Sequence, residues 1–399
     1  MNVRKKTKAE NKNIVLSVPC LSGNELKYVT ECIETGWVSS VGSFVTRFEN
    51  ELASYVGSKY SSAVCNGTAA LHLSLLVAGV KPGDEVFVPT LTFIAPVNTI
   101  KYVNADPVFI DCDDCMNISA ESLDKFIKGN CIFKNKKLIN KKTGKHISAV
   151  IPVHVFGHPA DMESIMTIAE ENNLKVIEDA TESLGSYYIK GRYNGKKTGT
   201  IGHLGCYSFN GNKIITTGGG GMVVSDNGEM IEKIKYLSTQ AKDDSLFYVH
   251  NNVGYNYRMT NLLAALGCAQ LEKLDAYIKI KRDNFNLYDK LLKDTAGISL
   301  IKEPFYAFSN YWFYSLLIDE EKFGINNIDL MMKLKDNKIE SRTVWCLNHT
   351  QRPFKNYKRS VIEKSDFYFS KILNIPCSVD LCLEEIKYVS RLIKEAVNG

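Results

Sequence analysis

Ser62-Ala63-Val64-Cys65-Asn66-Gly67-Thr68-Ala69-Ala70-Leu71-His72-Leu73 passes from a short apolar run through a glycine turn into a helical stretch. In such a passage the first N–H groups of the helix, aided by its dipole, can hold an anion. The glycine also suits a steep strand-to-helix turn on steric grounds alone, so the stretch by itself leaves both readings open. Repetition decides the fold. Further runs at 85–89, 107–111, 149–153, 175–178 and 222–225 alternate with helical patterns between about residues 60 and 225. That alternation predicts an α/β architecture, a mostly parallel central sheet with helices on both faces. Ligands in such folds bind at the carboxyl ends of the strands. Asn66-Gly67-Thr68, Pro89 to Phe93 and Asp179 to Glu182 all stand just there.

Past about residue 274 the pattern changes to long amphipathic helices, an aromatic strand-like run at 311–317 and a helix at 327–335. We therefore expect a basic N-terminal tail over 1–13, a large domain over 14–273 and a smaller C-terminal α/β domain over 274–399. The polar stretch 134–145, with Thr143-Gly144-Lys145 as a turn, reads as a surface excursion or hairpin.

The chain has 399 residues, 45% of them apolar, and a formal charge of +5. Part of that charge is Arg4, Lys5, Lys6, Lys8 and Lys12, a solvated tail more simply than a nucleic-acid patch. No apolar run approaches the ~20 residues that span a bilayer, and the charged start leads into no signal-peptide core, so a cytoplasmic location is expected. The 11 cysteines are odd in number and scattered through apolar segments, which suits reduced thiols. Cys112 and Cys115 form the only CxxC, without a second pair or nearby histidine, and no metal site is expected.

Two further stretches carry chemistry. Val176-Ile177-Glu178-Asp179-Ala180-Thr181-Glu182 puts carboxylates just past a buried strand, where Asp179 either caps the next turn or pairs with a protonated pyridine nitrogen. In Cys206-Tyr207-Ser208-Phe209-Asn210-Gly211-Asn212-Lys213-Ile214-Ile215-Thr216-Thr217, followed by Gly218 to Gly221, a lone lysine stands among small and hydroxylic residues. Pyridoxal chemistry needs a lysine with few charged neighbours, able to form a Schiff base and then carry a proton. No GxxxxGK[ST] spacing makes this a P-loop, and no GxGxxG follows a predicted strand.

Together these motifs, with Gly254-Tyr255-Asn256-Tyr257-Arg258-Met259, resemble the DegT/DnrJ/EryC1/StrS sugar aminotransferases, which have the fold-type-I pyridoxal-phosphate architecture. The resemblance implies Lys213 as the Schiff-base lysine, Asp179 as the pyridinium partner and Glu182 near the ring hydroxyl. It makes Phe93 the aromatic that stacks on the cofactor, and gives the phosphate to Gly67, Thr68 and Ser208, with Asn256 reaching it from the neighbouring subunit of a homodimer. One departure is Gly219, where the family pattern Thr-Thr-Gly-Glu-Gly-Gly carries glutamate.

The upstream Gly36-Trp37-Val38-Ser39-Ser40 and the tract Glu340-Ser341-Arg342-Thr343-Val344-Trp345 are similar to the subgroup of legionaminic-acid and bacillosamine-type pathways. The implied reaction moves the amino group of L-glutamate to the 4-keto carbon of a nucleotide-linked 4-keto-6-deoxy-N-acetylhexosamine, UDP being favoured over GDP as carrier. The cofactor passes between pyridoxal 5'-phosphate and pyridoxamine phosphate, and 2-oxoglutarate leaves. Trp37, Arg258, Arg342 and His349 are the candidate substrate residues. The alternatives are a sugar dehydratase of the same fold, which typically carries histidine in place of the lysine, and a silent pyridoxal-binding regulator.

Overall fold

The computed structural model describes residues 13–397, so the five basic side chains of the tail lie outside the described residues. The large sheet is built from β1 (Tyr60–Val64), β2 (Glu85–Pro89), β3 (Asp106–Ile110), the hairpin β4 (Cys131–Lys134) and β5 (Lys137–Asn140), and β6 (His146–Val150). To these it adds β7 (Lys175–Asp179), β9 (Leu204–Ser208) and β10 (Gly221–Ser225), while β8 (Tyr187–Tyr188) stands apart. The smaller lobe adds β11 (Ile298–Leu300), β12 (Ala307–Phe308), β13 (Tyr314–Ile318), β14 (Arg342–Thr343), β15 (Lys358–Arg359) and β16 (Ile372–Ile375).

The main path of the large sheet is β1-β10-β9-β7-β6-β2-β3-β15, and of these strands only β10 runs against the rest. The α/β architecture with a mostly parallel sheet is therefore the one expected. Both faces of the sheet are buried: β2 is buried at all five positions, which is why it reads as a continuous apolar run. The excursion at 134–145 is a hairpin whose turn is Asn135-Lys136, both at positive φ, and β5 then pairs antiparallel with β6. Strand β9 was not expected from periodicity, because it lies inside the lysine motif.

The helix Ser43–Val56 packs on the alanine-rich helix Asn261–Leu271, and the contact needs Gly267: a Cβ there would lie 2.7 Å from the Phe48 ring. The small lobe is an antiparallel sheet in the order β11-β13-β16-β14, covered by the helices Leu274–Leu292 and Leu383–Glu395.

Two segments cross the boundary expected at residue 274. Ile14 hydrogen-bonds to the carbonyl of Lys338 and to the N–H of Glu340, and Leu16 accepts from Cys377, so the start of the described chain runs along the small lobe. In return, Asn348 donates from its backbone to Thr90, and β15 pairs parallel with β3 at the edge of the large sheet. One apolar core runs through both lobes. All 11 cysteines are free. No helix of the described residues is long and apolar enough to cross a membrane.

Candidate active site

Strand register assembles the site. Val64 of β1 faces Gly221 of β10, Gly221 faces Ser208 of β9, and Cys206 of β9 faces Asp179 of β7. The ends of β1, β7 and β9 therefore open on one edge, and the chain leaving each end brings a functional group. After β1 comes the helix Gly67–Val77, capped by Asn66, whose side chain accepts the Ala69 N–H at 2.7 Å. Nothing larger than glycine fits at its start, since a Cβ on Gly67 would lie 2.8 Å from Ser208 Cβ and 3.2 Å from Thr181 Cγ2. A Cβ on Gly221 would meet Gly67 N at 2.8 Å. Backbone N–H groups, two hydroxyl residues and half-buried Thr68 thus converge at a helix N-terminus, the arrangement that binds phosphate.

After β7, Asp179 and Glu182 are buried at 2% and 4% exposure. Asp179 Oδ1 accepts the Thr181 N–H at 3.1 Å, and Glu182 Oε2 accepts the Phe156 N–H at 2.8 Å. Burial raises both carboxyls against the pull of Lys213, Glu182 to about 7. Behind them Glu178 accepts N–H groups of Gly199 at 2.8 Å and Ile201 at 2.6 Å. It also faces His154 Nε2 at 3.0 Å, while His154 Nδ1 accepts the Ala160 N–H, which leaves the ring proton on Nε2. Phe156 itself sits at φ 54°, a strained conformation for an aromatic residue, with its N–H committed to Glu182.

After β9 a loop closes on itself through Phe209 N to Gly220 O and Thr217 N to Phe209 O, and carries Lys213. The amine lies 3.7 Å from Glu182 Oε1, with 12% of the side chain exposed. Burial lowers its pKa, while Glu182 and Asp179 hold it up.

These groups fit pyridoxal phosphate: a buried amine for the carbonyl carbon, a buried carboxylate with Lys213 as the cation that pulls on it, and a Cβ-free cradle for the phosphate. Phe93 is half exposed and meets Trp345 edge-on at 6.3 Å, and Trp345 stacks on Phe156 at 4.8 Å. Gly219 has open space at its Cβ position, the nearest atom being Cys65 O at 3.9 Å, so the missing glutamate leaves no packing defect.

Other expected site residues stand elsewhere. Arg258 Nη1 donates to Glu49 Oε1 at 2.5 Å and to Ala63 O at 3.1 Å, a buried tie between strand and helix. Arg258 Nη1 is thus committed to Glu49 and the Ala63 carbonyl, while the side chain also lines the cavity beside Trp37. His349 is also buried, its Nδ1 2.7 Å from Thr90 Oγ1, and with Asn348, which donates to the carbonyl of Thr92 at 2.8 Å, it supports the segment leading to Phe93. Trp37 is exposed beside a cavity of about 580 Å³ whose walls include Arg258 and not Lys213. Arg342 is exposed, 3.2 Å from Glu340. Asn256 is exposed between the half-buried, mutually stacked Tyr255 and Tyr257. Sequence reasoning missed Thr181, Trp312 and Trp345. Thr181 was inside the quoted acidic run, and both tryptophans lie in tracts noted for other reasons.

A phosphate cradle, a buried carboxylate and a buried lysine at the strand ends of an α/β sheet define a pyridoxal-phosphate-dependent aminotransferase. The chain belongs to the DegT/DnrJ/EryC1/StrS aminotransferase family, which matches residues 19–394. It is 39% identical to the GDP-perosamine synthase of Vibrio cholerae over 384 residues, 95% of this chain and 98% of that protein. It is 38% identical to the GDP-perosamine synthase of Escherichia coli O157:H7 over 389 residues, 96% of this chain and 98% of that protein. The crystal structure of a DegT DnrJ EryC1 StrS aminotransferase from Brucella abortus superposes with a TM-score of 0.84 at 26% identity, covering 94% of this chain and 96% of that one. The protein is thus a pyridoxal-phosphate-dependent aminotransferase acting on sugar nucleotides.

Proposed function

We propose that the chain transfers the amino group of L-glutamate to the 4-keto carbon of a nucleotide-linked 4-keto-6-deoxy sugar, with Lys213 as the group that bonds the cofactor and moves the proton. The observation that carries this reading is the buried Lys213 amine 3.7 Å from Glu182. Burial lowers its pKa, the direction a proton acceptor needs, while Glu182 and Asp179 favour the charged form. Pyridoxal phosphate, when bound, supplies the electron sink that makes the proton next to the transferred nitrogen removable. Asp179 would face the pyridine nitrogen, where a cation opposite would return its carboxyl to the charged form. With the cofactor bound, Glu182 would stand by the ring hydroxyl, Gly67, Thr68 and Ser208 would hold the phosphate, and Phe93 would cover the ring.

For the carrier, the similarity to two GDP-perosamine synthases over nearly the whole chain weighs against the UDP expected from the sequence, and we propose GDP. Arg342 and Trp37 remain the proposed contacts to the sugar nucleotide. Purified protein with pyridoxal phosphate and glutamate is offered GDP- and UDP-linked 4-keto-6-deoxy sugars, and products are read by mass spectrometry. Amino sugar from the GDP substrate alone is the expected result; amination of the UDP-linked N-acetylhexosamine alone would reverse the carrier.

A homodimer with shared sites also belongs to this reading. Leu246, Phe247, Tyr248 and Val253 expose 76, 75, 70 and 83% of their surface just ahead of Asn256, an apolar patch that a second copy would cover while receiving Asn256. Sedimentation at micromolar concentration tests it, and a monomer that binds cofactor normally would refute it.

A further inference from the structure

The aromatic run that follows β12 does more than lead into a strand. Lys213 Nζ lies 4.0 Å from the centroid of the Trp312 ring. Trp312 Nε1 donates to the carbonyl of Asn212, the residue before the lysine, at 2.7 Å, and Ser17 Oγ reaches the same oxygen at 3.5 Å. The indole is itself fixed, at 3% exposure and stacked on Phe313 at 4.0 Å. Its backbone N–H donates to Asn310 Oδ1 at 2.9 Å, and the Asn310 amide donates to the carbonyls of Glu182 at 3.1 Å and Leu184 at 3.0 Å. One buried asparagine therefore ties the Trp312 backbone to the segment that carries the lysine's carboxylate partner.

We propose that Trp312 is a positioning residue of the amino-transfer reaction, fixing where the Lys213 amine stands and stabilising its ammonium form once the freed amine has taken up a proton. The charged groups facing that amine are Glu182 and Asp179, both from the large lobe. Burial pushes both carboxyls up, so their hold on the ammonium weakens as they take on protons. The indole face comes from the other lobe, prefers ammonium to neutral amine, and does not titrate. It supplies the part of the lysine's environment that pH leaves alone, and the Nε1 bond supplies the position. This rests on the reading of Lys213 as the Schiff-base lysine.

The test uses the apoprotein. Lysines are pulse-labelled with an acetylating reagent across a pH series, and the fraction labelled at Lys213 is read by mass spectrometry in wild type, Trp312→Leu and Trp312→Phe. Because only the neutral amine reacts, the half-point of the curve follows its titration. We expect Trp312→Leu to lower the half-point by about one pH unit and Trp312→Phe, which keeps a ring, to stay within about 0.3 unit of wild type. Trp312→Phe lacks the Nε1 donor and should bind pyridoxal phosphate about tenfold more weakly, the worth of one hydrogen bond. Equal half-points in wild type and Trp312→Leu, or equal shifts in both variants, would overturn the proposal. If Trp312→Leu fails to fold, Trp312→Met fills the space without a ring and takes its place under the same criteria. A wild type that gains no visible band with pyridoxal phosphate would instead overturn the reading of Lys213, a separate outcome because the labelling involves no cofactor.

Discussion

Lys213 and Lys281 are both buried, and each amine lies near an aromatic ring, Trp312 at 4.0 Å and Tyr314 at 5.4 Å. Burial lowers the pKa of both. Their partners separate them. Lys281 Nζ donates to the carbonyl of Cys377 at 2.6 Å inside the small lobe, with 2% of the residue exposed and no carboxylate among its charge partners. Lys213 faces two carboxyls, keeps 12% of its side chain open, and sits where three strands, β1, β7 and β9, release their chains at one edge. Burial alone therefore marks neither as reactive. A lysine becomes chemically useful where burial competes with nearby carboxylates and the amine can still be reached.

The largest effect that could break this contrast is at Lys213 itself. Lys213→Ala is expected to lower turnover by about ten-thousand-fold or more while leaving the folded state cooperative, as read by steady-state rates beside a urea melt. A comparable loss in Lys281→Met would erase the distinction.

A third buried cation sharpens it. Arg258→Ala removes the closer of the two cations beside buried Glu49, leaving Lys235 at 3.6 Å, and should cost about 1.5 to 3 kcal/mol of stability in urea unfolding. If the loss falls on KM for the sugar nucleotide and not on stability, Arg258 is a ligand after all.

Lys281→Met removes the donor to the Cys377 carbonyl and should cost about 1 to 3 kcal/mol, with turnover unchanged. The smallest effect concerns Glu182, whose carboxyl is raised from 4.5 to about 7 in the fold. A raised carboxyl means the folded state holds more protons between those values than the unfolded chain does, so this group's contribution is fully present below pH 4.5 and lost as pH rises towards 7. Glu182→Gln in the apoprotein should flatten that decline by about 1 kcal/mol, measured as the shift of the denaturation midpoint between pH 5 and pH 7.5.

Much of the site's floor was legible because its residues follow their strands directly: Gly67 after β1, Asp179 at the end of β7 and Lys213 in the loop after β9. Local order along the chain carries that information. Strand β9 was hidden because its residues were read as motif, and glycines at 202 and 205 weaken its apolar pattern. The return of β15 to the large sheet and the docking of Ile14 on the small lobe depend on pairings hundreds of residues apart, which periodicity does not contain. The partners of Arg258 and His349 were hidden for a related reason. Sequence shows a polar side chain and not its partner, and Glu49 and Thr90 are each about 210 to 260 residues away. Trp312 was seen only as a strand former, although its ring closes over the lysine.

The most direct test of the account is the absorbance spectrum of protein loaded with pyridoxal phosphate, recorded before and after L-glutamate in wild type and in Lys213→Ala. The account predicts a visible band in wild type that glutamate bleaches and that the variant never forms. A wild-type band that survives glutamate, or an identical band in the variant, would contradict it.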